Sequence, residues 1–320
     1  MALATSAFPT YSAVGNREDL TDTIYRIDPT DTPFWTGIER EKASAVNHEW
    51  QTQALAAAAA NAQLEGDDAY NADAATATVR LGNICQISRK TPRVTGTQRV
   101  VDHAGRDDEM AYQEMLKGLE LKRDIEFALV NTPQAKVSGA TTTARKLANV
   151  MAWITTNTDK GGGTAADPTA ADGTSARVDS ATLRSFTENQ VKNVIKKCFD
   201  AGGKPSVIML NSFNKQQFST FIGRGTPMQD QGERKITAAV DVYESDFGRL
   251  KVVPNRFMRQ RDAFVLQMDM WAYAPLPGRS MVSYPLAKTG DSDAKTIINE
   301  ATLVSRNEKA SGGIFDLTTS

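Results

Sequence analysis

Histidine and cysteine are almost missing from this chain: 320 residues hold only His48, His103, Cys85 and Cys198. Neither histidine stands in a spaced ligand motif such as HExxH, so each reads as a satisfied surface or core side chain. The two thiols lie too far apart in sequence for a CxxC metal site or a disulfide framework and read as buried free thiols. An excess of one charge is missing too. With 37 basic and 38 acidic residues the formal charge is −1, which removes any global drive toward nucleic acid. No window reaches the ~18 apolar residues of a membrane helix, and the start MALATSAFPTYSAVG lacks the basic and apolar regions of a signal peptide. Neither a P-loop GxxxxGK[ST] nor a GxSxG elbow occurs; the glycines at Gly161 follow no strand, and in AGGKPS Pro205 stands where a hydroxyl is required. Gly202 reads instead as a helix C-terminal residue. What is present is 40% hydrophobic and 7% aromatic sequence, enough for a core in two domains or one elaborated domain.

Along the chain, residues 1–45 are irregular, with turn signals at Asp28-Pro29 and Thr32-Pro33 ahead of the aromatic pair Phe34 and Trp35. The pair reads as an interface anchor on a loop. Residues 46–99 turn to Ala, Gln, Asn, Thr and Asp, with ends HEWQTQAL and VRLGNICQI that can pair as strands of a long hairpin. The pattern predicts a helix over 104–131 with Asp102 as N-cap and a narrow stripe of Tyr112, Leu116, Leu119, Phe127 and Val130. Thr156 to Ala176 reads as a flexible surface excursion without an apolar anchor. A second helix is predicted from Ala181 to Ala201, with Leu183, Phe186, Val191, Val194, Ile195, Cys198 and Phe199 on its apolar side. The strand SVIML, a helix over Phe213 to Ile222, and strands at 250–253 and 263–268 complete a compact second domain. Arg249, Lys251, Arg256, Arg259 and Arg261 form a basic run that reads as one solvated strand face with weak phosphate contact. The last forty residues read as extended and polar.

In order, these segments resemble the major head (capsid) proteins of tailed double-stranded DNA bacteriophages with the Hong Kong 97-type shell fold. The resemblance is carried by DLTDTIYRIDPTDTPFWTGI at Asp19 to Ile38, HEWQTQAL at His48 to Leu55, and NICQISRKTPRVTGTQ at Asn83 to Gln98. It continues in GRDDEMAYQEMLKGLELKRDIEFAL at Gly105 to Leu129, DAGGKPSVIML at Asp200 to Leu210, YESDFGRLKVVPNRFM at Tyr243 to Met258, and NEATLVSRNEKASGGI at Asn299 to Ile314. It implies an α+β chain divided into an N-terminal arm (1–45), an extended loop (46–99), a peripheral domain with a spine helix (100–177), an axial domain (178–280) and a return strand to the peripheral domain (281–320). No scaffolding segment is fused ahead of the arm, so scaffolding is expected to be separate or dispensable.

The implied function is self-assembly as hexamers and pentamers into an icosahedral head around double-stranded DNA, without catalysis, cofactor, metal or membrane. Expected partners are further copies of the chain, separate scaffold, portal and decoration proteins, and weak non-specific contact with packaged DNA. Assembly is expected in the host cytoplasm, and the product in the virion. Candidate interface residues are Phe34, Trp35 and Trp50, the spine charges Glu114, Glu120, Arg123 and Asp124, and Arg306 and Glu308 near the end. Two rivals are an encapsulin-like nanocompartment shell and a cytosolic enzyme using Cys198 or His103. Some shells of this fold join a loop lysine to a neighbour's asparagine. No lysine lies between Gln51 and Ser88, and Lys90 stands at the hairpin foot, so a non-covalent shell is expected.

Overall fold

The computed structural model describes residues 28–66, 74–221 and 241–319. Its organising element is a strand at the end of the chain, β13 (Ser292–Ser305), rich in the branched residues that suit a pleated surface. One flank of β13 pairs with β12 (Val282–Pro285) and β11 (Trp271–Pro275); the other pairs with β5 (Arg93–Thr95) and β4 (Gln86–Lys90). β1 (Glu39–Arg40) adds in parallel outside β11. From Thr296 to Ser305 every residue is buried. Ile297, Ala301 and Leu303 face the main core, and Val304 faces a smaller cluster with Ala43, Cys85, Ala272 and Ala274. The ending is therefore not a polar periphery: buried Glu300 is matched by Arg145 at 2.7 Å and Arg279 at 2.5 Å, while Thr302 Oγ1 and Ser305 Oγ are buried without a hydrogen-bond partner among the described residues. Residues Gln86 to Thr95, expected in the extended loop, belong to this sheet.

Helix α3 (Glu109–Val130) lies against that sheet and, at 1.5 Å per residue, is about 33 Å long. Its N-cap is Asp108, whose carboxylate accepts from Met110 N–H at 3.0 Å; Asp102 lies in the segment that joins α2 (Gly96–Val100) to it. The buried stripe is Met110, Leu121, Ile125, Leu129 and Val130; of the predicted stripe only Val130 is in it, Tyr112, Leu116 and Leu119 being partly buried and Phe127 half exposed. The first half of the helix is held by charged and polar contacts instead of packing, so apolar spacing there did not report its buried face.

The second sheet runs in the order β6 (Thr158–Asp159), β14 (Gly312–Ile314), β10 (Ala263–Leu266), β7 (Val207–Leu210), β9 (Gly248–Pro254), β8 (Val242–Ser245). It separates two apolar clusters by simple alternation. Ala263 and Val265 face one cluster with Ile208, Leu210 and Ile314, while Phe264, Leu266, Met209 and Phe315 face the main core with α4 (Val150–Trp153). Helix α5 (Glu188–Asp200) covers the first cluster with Val191, Val194, Ile195 and Cys198. It starts later than predicted because Arg184 N–H donates to Asp316 O and Thr318 N–H to Arg184 O, which commits that backbone to the chain end. A capping box of Thr187 and Gln190 then opens the helix. Leu183 and Phe199 are exposed, Phe199 resting on Phe247 at 4.7 Å. Gly202 has φ 86°, as a helix C-terminal glycine should. Helix α6 (Ser212–Ser219) follows β7.

Thr156 to Ala176 is not a loose excursion. Lys197 Nζ donates to Thr158 O at 2.6 Å, Asn157 Nδ2 donates to Lys309 O at 2.6 Å, and β6 pairs with β14. Its anchors are polar, which is why a search for apolar ones missed them. The expected hairpin forms as β2 (Asn47–Thr52) and β3 (Val79–Ile84), in register from Asn47↔Ile84 to Thr52↔Val79. Beyond Thr52 the chain continues to Leu64 without ladder partners and fully exposed. Expectations for residues 1–27, including Asp19 to Ile27 of the arm, and for Ile222 lie outside the described residues.

Candidate assembly surfaces

Of the arm's aromatic pair, Phe34 is inside the molecule and Trp35 is partly buried. Helix α1 (Pro33–Gly37) places Phe34, with no exposed surface, edge-on to Trp271 at 6.2 Å, and Trp35 edge-on to Tyr273 at 5.9 Å beneath Arg40. The N–H groups of Phe34 and Trp35 donate to the Glu126 carboxylate of α3 at 2.9 and 2.7 Å. Pro33 sets the turn that aims these donors at the spine helix. Phe34 is thus unavailable to a neighbour, a correction to its reading as an exposed anchor. Trp50 is likewise turned inward, its Nε1 donating to Ser305 O at 2.9 Å and its ring 5.4 Å from Trp153.

The charged candidates have partners within the chain. Glu114 accepts from Lys295 Nζ at 2.6 Å. Glu120 receives Lys117 at 2.7 Å, and Asp124 receives Lys90 of β4 at 2.7 Å. The spine's charges thus meet the sheet beneath it and one another at i,i+3 spacing. Arg123 stands over Phe257, ring centroid 5.7 Å away. With Lys90, Glu120, Asp124, Phe127 and Phe257 it lines an open cavity of about 420 Å³. Arg306 pairs with Glu39 and, at 3.5 Å, with Glu41, tying the end of β13 to the arm. Glu308 accepts from Thr156 Oγ1 at 2.6 Å. The basic run divides as well: Arg259 and Arg261 are paired with buried aspartates, Arg249 pairs with Glu244 at 3.0 Å, and Lys251 and Arg256 stay exposed.

Uncovered apolar surface lies elsewhere. Leu55 and Leu64 are 96% and 83% exposed along the unpaired part of the hairpin. Ile87, Val282, Tyr284 and Leu286 are also exposed; Val282 pairs with Ile298 and Ile87 with Glu300, which puts them on one face of the first sheet. The alternation of Val282, Tyr284 and Leu286 was a readable period-two signal. Among the described residues no three His, Cys, Asp or Glu side chains are grouped to hold a metal ion, and no helix is long and apolar enough to cross a membrane. Burial pushes the Cys198 thiol up to about 12 and the Cys85 thiol up to about 11, so neither is a thiolate nucleophile at neutral pH.

A long strand backed by a spine helix, a separate sheet packed with α5 and α6, and a protruding hairpin define a shell-forming subunit of the Hong Kong 97 type. Solved structures share this fold across nearly the whole chain. That titled Gordonia phage Cozz aligns with TM-score 0.62 at 9% identity over 99% of this chain and 98% of its own. The Cyanophage A-1(L) capsid asymmetric unit aligns with TM-score 0.62 at 13% identity over 97% and 99%. In sequence, the major capsid protein of Escherichia phage Phieco32 is 26% identical over 346 aligned positions, 96% of each chain. The family model for the SU10 major capsid protein matches residues 6–318, and the chain belongs to that family. It is a structural protein of the phage capsid, and the nanocompartment alternative is not favoured.

Proposed function

We propose that copies of this chain assemble as hexamers and pentamers into an icosahedral head that encloses double-stranded DNA, without catalysing a reaction. The observation that carries this reading is the hairpin: from Gln53 to Leu64 it is exposed, outside any helix or strand and alanine-rich, tied to the opposite arm by Gln53 Nε2 donating to Thr76 O at 2.9 Å. Such a segment gains stability only when another surface covers it, and in a shell the surface at hand is a second copy. The arm, loop, peripheral, axial and return segments keep the roles the resemblance gives them, with Gln86 to Thr95 moved to the peripheral sheet. Half-exposed Trp35, Arg123 and the Arg306 cluster remain candidates for contact between copies; Glu114, Glu120, Asp124, Glu308 and Trp50 act first as internal fasteners of the surfaces that meet. Separate scaffold and portal proteins are part of this reading, and decoration proteins are too, as in the structure of the Phage G gp27 major capsid proteins and gp26 decoration proteins. DNA contact is weak, through patches such as Lys251 and Arg256.

Negative-stain images of the purified chain should show closed shells. Limited proteolysis should cut free subunits between Leu55 and Thr78 while assembled particles resist. Equal resistance in both states would sink the role given to the hairpin.

A further inference from the structure

Asp262 lies in the turn between β9 and β10, its side chain without exposed surface. Its Oδ2 accepts from Arg259 Nε at 2.6 Å, whereas its Oδ1 meets no donor among the described residues. Opposite it, on α6, Asn214 Nδ2 donates to Gln260 O at 2.5 Å and Asp262 O at 3.3 Å. Those two bonds fix which end of the amide is nitrogen, so the other end is an acceptor. Asn214 Oδ1 is also buried without a donor. Two acceptors thus lack hydrogen on residues that meet where Asn214 Nδ2 reaches the Asp262 carbonyl, and a proton on the carboxyl would turn one of them into a donor.

Among the described residues Arg259 is the one cation bonded to Asp262, and it is shared, while Arg177 acts on it without a bond. Arg259 also bonds Asp179 through Nη1 at 2.6 Å and Nη2 at 3.1 Å, and meets Met151 Sδ of α4 at 3.5 Å. Arg261 is 2.9 Å from Asp316 and 3.9 Å from Asp179. Arg177 is 2.5 Å from Asp167, which Lys160 reaches at 2.6 Å, and 3.6 Å from Asp316. On α6 itself, Lys215 reaches Asp241 at 3.4 Å.

We propose that Asp262 is a proton-binding site, where the folded chain takes up a proton on Oδ1 and donates it to Asn214 Oδ1, fastening the β9–β10 turn to α6 in mildly acidic surroundings. Burial pushes the Asp262 carboxyl up to about 6 against the pull of Arg259. A carboxyl raised on folding binds its proton in the folded state first, so its contribution is full below the ordinary aspartate range and lost as pH rises through about 6. Its neighbours act in the opposite sense. Although burial works against it, the N–H groups of Ser180 and Gly161 with Arg261 hold Asp316 below the usual range, and Lys160 and Arg177 do the same for Asp167. Their contribution fades on acidification while that of Asp262 grows, so the cluster keeps a fastening where its ion pairs weaken.

The test compares the full wild-type chain with Asp262→Asn from pH 4.5 to 8, reading the unfolding midpoint and the infrared band of a protonated carboxyl. Wild type should gain on the variant as pH falls, and a carboxylic band absent from D262N should grow in with a midpoint near 6. Should D262N fail to fold, Asn214→Ala carries the comparison: loss of the acceptor should shift that band's titration to lower pH. A stability offset that ignores pH, with no band dependent on Asp262, overturns the proposal and leaves an ionised carboxylate hydrated by a buried water. An N214A titration that does not shift overturns it equally.

Discussion

Glu126 stands in the main core without a cation among the described residues and accepts from three donors: Phe34 N, Trp35 N and, at 2.6 Å, Asn255 Nδ2. Burial raises its carboxyl above the ordinary range in spite of those bonds. It joins arm, spine helix and the end of β9 at one point, so its acceptor capacity matters more than its charge. Glu126→Gln keeps the shape but turns one acceptor into a donor facing donors. At pH 7.5 the variant should lose about 1–3 kcal/mol in urea unfolding, the cost of orphaning a buried donor; an unchanged midpoint would show that water replaces the bond. None of this was legible locally. Phe34 and Trp35 announced themselves as an anchor, but their target lies some ninety residues on, and Glu126 in sequence is one more acid on a charged helix. Spacing rules see neighbours within a turn, not a carboxylate shared between distant elements.

Elements were legible where packing alone defines them. Strand β7 and the C-terminal part of α5 fell where apolar periodicity put them, since their buried faces meet mostly apolar groups, and the hairpin ends paired as expected although Trp50 and Asn83 also bond to β13. They were misread where polar bonds set the boundary: α5 begins at its capping box, α3 at Asp108, and Thr158 is held by Lys197. The end of α5 offers a test of the same contrast. A methyl at Gly202 would meet open space and bear only the left-handed backbone, while one at Gly203 would lie 2.6 Å from Ala310 Cα and 3.0 Å from its carbonyl oxygen. Gly202→Ala should cost about 1–2 kcal/mol for the backbone alone. Gly203→Ala should cost more than Gly202→Ala, toward the upper end of the about 1–3 kcal/mol of overpacking, because backbone cannot rotate aside. Thermal unfolding of both variants gives the order; a reversed order would mean that the segment at Ala310 yields.

At the scale of the whole molecule the chain's architecture follows from its longest strand, and its chemistry from what it withholds. The order of the seven matching segments made the shell fold readable, but not that the chain end would be its core, because burial of Asn299 and Glu300 depends on partners from other segments. The same is true of how copies are joined. A covalent joint through the loop requires a deprotonated amine there, and between Gln51 and Ser88 the only basic side chain is Arg80, whose guanidinium stays protonated. The nearest lysine, Lys90, sits in β4 on the sheet beneath α3, 2.7 Å from Asp124 and 3.7 Å from Glu120. The hydrogen bond to Asp124, against a small cost of burial, raises its ammonium above the ordinary lysine range, so it is held protonated and turned toward its own helix. A nucleophile needs the reverse, a lowered value and a free approach. Particles should therefore be held by buried area and many weak contacts. Boiled in detergent under reducing conditions they should release one band near the 34.8 kDa monomer; a ladder of covalent multiples would show that another lysine reaches a neighbour.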